Sequence, residues 1–243
     1  MKAIIMAAGA GSRLKPFTDY VPKPLIPVSF KDGKITTIIE KIIEQIKIAN
    51  ISEIIVVVNY KKELIKDYLG NGSKFGIKIG YAVQKKLDGN GSAVFCCQNT
   101  INDDVLITDC DNFVADDFIF LKLRNTFESN KTDAVVCVKN VRDITRFAIF
   151  KTDRNGKITD IFEKPSNKKE WGDLAKTGFA ILSRNTLNLK KDVCRTDKGE
   201  YTTTQLFKFM LKNNMTIVPH LVTSEYEDIG TWESYGKTIG KRI

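Results

Sequence analysis

The sequence predicts an α/β protein whose mixed, mainly parallel sheet is sandwiched by helices, and three observations carry that expectation. Short apolar runs alternate with helically spaced apolar residues through the first half of the chain. The runs are four to six residues long and nearly unbroken by polar side chains, as for strands buried on both faces. A later Asn155-Gly156 turn separates two further runs, and an antiparallel hairpin there makes the sheet mixed.

The elements follow in order. Lys2 to Met6 reads as the first strand; Ile38, Ile39, Ile42, Ile43 and Ile46 recur at helical spacing; and Ile54 to Val58 is a buried strand. This is βαβ logic, which places parallel strands side by side with the crossover helix on one face. Lys61 to Leu69 reads as a second helix, stopped by Gly70-Asn71-Gly72-Ser73 before a strand at Ile77 to Val83. Gly89-Asn90-Gly91-Ser92 precedes a helix through Phe95 and Cys97, and Val105 to Thr108 is a strand ending at Asp109-Cys110-Asp111-Asn112. Next come a helix from Phe118 to Phe127, a strand from Ala134 to Val138, and the hairpin of Phe147 to Lys151 with Ile158 to Phe162. A strand at Phe179 to Leu182, a helix from Thr203 to Leu211, a strand at Ile217 to Leu221 and a helix after Gly230 complete the pattern. No proline-rich linker, repeat or low-complexity tract interrupts it, so residues 1–243 read as one domain.

Bulk composition narrows the function classes. At 243 residues and 42% hydrophobic content the chain can bury a sizeable core. Met1-Lys2 leads directly into strand-like sequence, and no apolar run approaches bilayer length, which predicts a cytoplasmic protein without membrane association. Five cysteines with no C-x-x-C spacing suggest neither a disulfide framework nor a zinc site, and reduced core thiols are the expectation. The net charge of +9 is spread along the chain without a nucleic-acid-binding module, so nucleic acid is not the expected partner. The only histidine, His220, lies in an apolar strand and reads as structural.

Candidate chemistry falls at predicted strand ends, where open α/β sheets gather ligands. Ala8-Gly9-Ala10-Gly11-Ser12 is a small-residue loop that lets a ligand approach the peptide N–H groups, and Arg13 and Lys23 follow as cations suited to polyphosphate oxygens. Leu14 stands where a dinucleotide fingerprint needs glycine, and no G-K-[ST] follows, so dehydrogenase and Walker A readings are disfavoured. Asp111 and Asp228, brought together, could hold Mg²⁺ through carboxylate oxygens while substrate phosphates complete the shell. Asp109 ranks second as a ligand.

The chain resembles the sugar-1-phosphate nucleotidyltransferases, the nucleoside diphosphate sugar pyrophosphorylases such as glucose-1-phosphate thymidylyl- and uridylyltransferases. The resemblance rests on Ala8 to Thr18, Pro22-Lys23-Pro24-Leu25, Gln84 with Gly89 five residues on, Cys110-Asp111-Asn112, Glu163-Lys164-Pro165, Thr177-Gly178 and Asp228-Ile229-Gly230-Thr231, in the family's order. It implies a Rossmann-like, glycosyltransferase-A-like domain that joins an NTP and a sugar 1-phosphate into an NDP-sugar, releasing pyrophosphate, with Mg²⁺ as cofactor. By that resemblance Ala8, Gly9, Ala10, Gly11 and Ser12 wrap the triphosphate, Arg13 holds the departing pyrophosphate, and Lys23 contacts the α-phosphoryl group. Asp111 and Asp228 carry the metal, Gln84 and Gly89 read the base, Glu163 and Gly178 hold sugar hydroxyls, and Lys164 binds the sugar phosphate. Homo-oligomers are common among such relatives.

Two departures stand out: Cys110 replaces a usual glycine, and Gln205 falls where a Thr-Asp pair is usual beside the sugar site. The left-handed β-helix domain of some relatives has no counterpart after Trp232, so acetyl transfer and allosteric functions of that domain are not expected. Gln84 and Gly89 favour UTP or dTTP. Two alternatives stay open: a cytidylyltransferase using CTP and a non-sugar acceptor such as phosphocholine, since an amide can serve either pyrimidine edge, and a noncatalytic nucleotide- or sugar-binding regulatory subunit.

Overall fold

The computed structural model describes residues 1–29 and 35–239. After β1 (Lys2–Ala7) the chain makes three 3-10 turns, at Ser12–Leu14, Phe17–Asp19 and Lys23–Leu25. There follow β2 (Pro27–Ser29), β3 (Ile35–Thr37), α1 (Ile38–Ile48), β4 (Glu53–Val58), α2 (Lys62–Leu69), β5 (Lys78–Val83), α3 (Asn90–Phe95) and β6 (Val105–Asp109). The second half runs β7 (Asn112–Val114), α4 (Ile119–Asn130), β8 (Ala134–Asn140), β9 (Ala148–Thr152), β10 (Ile158–Glu163), α5 (Lys168–Trp171), β11 (Leu174–Leu182), α6 (Thr203–Lys212), β12 (Ile217–Leu221), β13 (Tyr226–Asp228) and α7 (Trp232–Ile239).

Strands order as β10-β9-β11-β6-β1-β4-β5, with β8 beside β11 and β12 beside β8. The β6-β1-β4-β5 half is parallel throughout. β11 turns the sheet mixed by running antiparallel to both β6 and β8. The chain leaves β1 toward β4 and β5, then returns to β6 on the other flank of β1. That reversal opens a crevice at the carboxyl ends of β1 and β6.

The central strand is buried on both faces. Ala3, Ile5 and Ala7 of β1 join one apolar cluster with α1, α2 and α4, whereas Ile4 and Met6 join another with α3 and α6. Helix α1 buries its isoleucine stripe and begins in a capping box: Glu40 N–H donates to the Thr37 hydroxyl, and Thr37 N–H donates to the Glu40 carboxylate. Among the described residues no helix is long and apolar enough to cross a membrane.

The structure departs from expectation in several places. The helix expected through Cys97 ends at Phe95, where Cys97 and Gln98 N–H groups bond the carbonyls three residues back and tighten the chain into turns. The strand expected at Phe179 begins at Leu174 and is nine residues long, its first half masked in the sequence by Lys176-Thr177-Gly178. β2, β3, β7 and β13 are each three residues, too short for a period-2 signal. All five cysteines are thiols, but Cys96 and Cys194 are exposed, so of the expected core thiols only Cys97, Cys110 and Cys137 lie in the core.

His220 lies on β12 against α4, where its Nδ1 is 2.9 Å from the Thr126 hydroxyl. That hydroxyl spends its one proton on the Lys122 carbonyl, so the ring carries the proton on Nδ1 and donates it. Burial and the nearby Lys122 charge lower the His220 pKa, against the opposing pull of Asp116.

Two outcomes follow. Thr37→Ala should lower unfolding free energy by about 1 kcal/mol in urea denaturation, by loss of the cap. A histidine held neutral in the fold protonates more readily when unfolded, so its stabilising share is complete above about pH 6.5 and is lost as pH falls toward the lowered native value. His220→Asn should therefore flatten the stability-versus-pH curve just below pH 6.5, read by the same titration across pH.

Candidate active site

Polar side chains cannot sit in the doubly covered strand centres, so they emerge at the carboxyl ends. Beyond β1 the backbone passes through Ala8 and Gly9 into Gly11, whose positive φ of 64° and tight neighbours Thr18 and Lys23 leave no room for a side chain. The Thr18 hydroxyl donates to the Gly11 carbonyl at 3.0 Å and pins the loop. Gly9 faces open space, with nothing within 4 Å of where a Cβ would stand. A cleft of about 380 Å³ opens here, lined by that loop and by Lys23, Gln84, Gly89 and Asp111.

Lys23, only 7% exposed, places its Nζ 2.7 Å from Asp111 Oδ2, joining the β1 loop to the end of β6. Asn112 Nδ2 donates to the other Asp111 oxygen at 2.9 Å, and the Tyr226 hydroxyl donates to Asn112 Oδ1. The antiparallel pair of β7 and β13 sets Asp228 opposite Asn112, and the Ile229 N–H donates to the Asp111 carbonyl. A Cβ on Gly230 would lie 2.8 Å from an Arg13 guanidinium nitrogen and 3.0 Å from Asp228 Oδ1, so Arg13 and Asp228 meet over this glycine. Burial and the Asp111 charge raise the Asp228 pKa, while Lys23, Arg13 and Lys139 oppose the shift. Asp109 also lines the cleft, beside Gly178 of β11: burial and Asp111 push its carboxyl up to about 7 despite Lys176 and a hydrogen bond from Asn90.

The end of the cleft around Gln84 is fixed by backbone contacts. Gln84, 4% exposed, donates from Nε2 to the Gly89 carbonyl at 2.9 Å, and the Gln84 carbonyl accepts from Asn59 Nδ2. Gly89 has φ of 105°, and a Cβ there would run into the Tyr201 backbone.

Of the residues singled out in the sequence, Ala8, Gly9, Gly11, Ser12, Arg13, Lys23, Gln84, Gly89, Asp109, Cys110 and Asp111 line this one cleft. Ala10, Glu163, Lys164, Gly178 and Asp228 are not among its lining residues. Asp228 adjoins it through Gly230, and Gly178 packs behind it against Asp109 and Asn112. Glu163 and Lys164 lie at the end of β10: Thr204 donates to Glu163 at 2.7 Å, and the Lys164 N–H donates to the Phe147 carbonyl at 2.8 Å. Thr204 thus braces Glu163 although Gln205 departs from the usual pair; Gln205 lies in the first turn of α6, where its backbone N–H donates to the hydroxyl of the capping Thr202. Cys110 is buried with its N–H on the Met6 carbonyl, and burial pushes its thiol up. Lys139, Lys176 and Tyr226 stand outside any motif, and only the strand pairings bring them near.

The donor set fits a hard cation. Asp111 and Asp228 offer oxygens alone and lie near enough for one charge to raise the other's pKa. Among the described residues no group of three or more His, Cys, Asp or Glu is arranged to hold a metal by itself. Two carboxylates suit Mg²⁺, which keeps waters and substrate phosphates in its shell.

The two glycines separate packing from access. Gly178→Ala would set a methyl 2.7 Å from Asp109 Oδ2 and closer still to Asn112, and should cost about 1–3 kcal/mol in urea denaturation. Gly9→Ala meets open space and should change stability by no more than about 0.5 kcal/mol.

Residues 2–241 match the family described as nucleotidyl transferase. The low-salt glycan biosynthesis nucleotidyltransferase Agl11 of Haloferax volcanii is 30% identical over 232 residues, covering 95% of this chain and 62% of the relative, so the chain spans under two thirds of that protein. The UTP–glucose-1-phosphate uridylyltransferase AglF of the same organism is 27% identical over 95% of this chain and 91% of its own length. A Bacillus anthracis crystal structure, described as a glucose-1-phosphate thymidylyltransferase in complex with a sucrose, superposes with a TM-score of 0.86 at 28% identity, covering 100% of this chain and 96% of that one. With the strand-end cleft and its ion pair already in place, the match across nearly all of the sequence establishes that the chain belongs to the nucleotidyl transferase family.

Proposed function

We propose that this chain transfers a nucleoside monophosphate group from an NTP to a sugar 1-phosphate, releasing pyrophosphate and forming an NDP-sugar, with Mg²⁺ as its metal and UTP or dTTP as donor. The observation that carries this reading is the single cleft in which the Gly9–Ser12 backbone, Arg13 and the Lys23–Asp111 pair converge beside Asp228.

An oxygen of the acceptor phosphate attacks the α-phosphorus of the NTP; the α–β bridging bond breaks, and its electrons leave with pyrophosphate. The attacking oxygen is already ionised near neutral pH, since a phosphate monoester has a second pKa near ~6, so no general base is needed. Catalysis then rests on alignment and on cations placed where charge spreads. In this reading the loop amides and Arg13 hold the leaving pyrophosphate, and Lys23 contacts the α-phosphoryl oxygens. Mg²⁺ on Asp111 and Asp228 would neutralise phosphate oxygens. Gln84 and Gly89 would face the base, while Glu163, Lys164 and Gly178 would receive the acceptor. The donors named for AglF and for the Bacillus anthracis protein support a uridine or thymidine nucleotide.

Asp111→Asn should lower kcat/KM by about 10³-fold or more in a pyrophosphate-release assay with UTP or dTTP, Mg²⁺ and a panel of hexose 1-phosphates. Its thermal midpoint should also fall, because an amide offers one acceptor oxygen where Asp111 offers two, to Lys23 and Asn112, so activity is compared on folded protein below the transition. Silence of the unaltered protein across that panel would overturn the reading.

A further inference from the structure

A cation that no role has yet absorbed stands beside the acceptor residues of the proposed reaction, outside the cleft that the Gly9 loop lines. β11 is antiparallel to both β6 and β8, so the carboxyl end of β8 lies at the same edge of the sheet as Asp109 and Asp111. Lys139 sits at that end, half-buried. Its Nζ lies 4.3 Å from the centre of the Tyr226 ring and 5.1 Å from that of Phe147. Each ring belongs to an acceptor-binding segment of the proposed reaction. Tyr226 holds Asn112, which holds Asp111, and the Phe147 carbonyl anchors the backbone of Lys164. The neighbouring charges are Glu227 and Asp228, which favour the ammonium, and Arg146, which opposes it. Beside Lys139 an opening of about 470 Å³ is lined by Asn140, Thr223, Ser224 and Tyr226. The Ser224 hydroxyl is buried there without a protein partner.

Two ring faces set around one cation are the arrangement that recognises quaternary ammonium groups. Here the chain's own ammonium already fills the notch. We propose that Lys139 selects the acceptor: it excludes phosphate esters carrying a cationic headgroup, such as phosphocholine, and admits hydroxyl-rich ones whose oxygens accept hydrogen bonds from its Nζ. A like charge brought against a half-buried lysine is repelled, whereas sugar hydroxyls find Lys139, Asn140, Thr223 and Ser224 as partners. This inference rests on the nucleotidyl-transfer reading of the same cleft.

The test uses the full chain with Mg²⁺, UTP or dTTP, and three acceptors: glucose 1-phosphate, glucosamine 1-phosphate with its amine protonated, and phosphocholine. The unaltered protein should use the neutral sugar at least tenfold better in kcat/KM than either cationic ester. Lys139→Met should shrink that ratio at least tenfold, and Lys139→Arg should restore it; Lys139→Gln replaces the methionine variant should that one not fold. An unchanged ratio in a folded, active variant, or a preference of the unaltered protein for phosphocholine, would overturn the assignment of Lys139. Failure of the underlying reading gives a different result: no pyrophosphate release from the unaltered protein with any acceptor.

Discussion

The ion pair between Lys23 and Asp111 is the contact on which the site depends, because it joins two segments that the sequence separates by 88 residues. Lys23 is delivered by a turn between two prolines and is almost wholly shielded from water, so its charge needs a partner there. Asp111 supplies one only because β6 lies parallel and adjacent to β1, in a register that places Met6 beside Asp109. Any slip of that pairing would separate the cation from the carboxylate and turn alternate side chains to the wrong face. Sheet register and site assembly are one constraint.

The same constraint explains what could be read from residues alone. Parallel strands buried on both faces are written as near-continuous apolar runs, so β1, β4 and β6 were legible together with the helices between them, and the more exposed edge strand β5 by the Gly70–Ser73 break before it. The chemistry was legible where it is written in contiguous stretches: the Gly9 loop, the lysine between prolines, and the aspartate just past β6. Contacts made by pairing were not legible. Nothing local marks Asn112–Val114 and Tyr226–Asp228 as partners, yet that three-residue ladder brings Asp228 to the cleft. Lys139 likewise reads as one more lysine in a basic chain until β8 is placed beside β11.

Asp109 and Asp111 show how two residues of the same type, two positions apart, come to differ. Leaving the strand, Asp111 meets Lys23 and Asn112 at the mouth of the cleft. Asp109 is the last residue of the strand, beside Gly178 of β11, where burial and the charge of Asp111 make ionisation costly despite Lys176. Both carboxylates line the cleft, so their partners rather than access distinguish them. Residues two apart share a strand face, so the difference arises because the chain leaves β6 after Asp109 and carries Asp111 to Lys23.

The two halves of the sheet also divide the work. The parallel half presents the loop amides, Gln84, Arg13 and Lys23 at the cleft. The antiparallel half presents Glu163, Lys164 and Lys139, which differ in reach and charge and, in the proposed reaction, bear on the acceptor. β11 links the halves, and its register shifts between Lys176 and Ala180, where Gly178 lies. A side chain at that position would collide with Asn112 and Asp109. The irregularity and the missing Cβ let the Asn112 amide settle against β11 while it holds Asp111, so Asp111 is braced from the antiparallel half of the sheet. In the proposed reaction, changes that retune the acceptor side around Lys139 and Phe147 can then accumulate without disturbing the Gly9 loop, provided that β11 keeps its glycine.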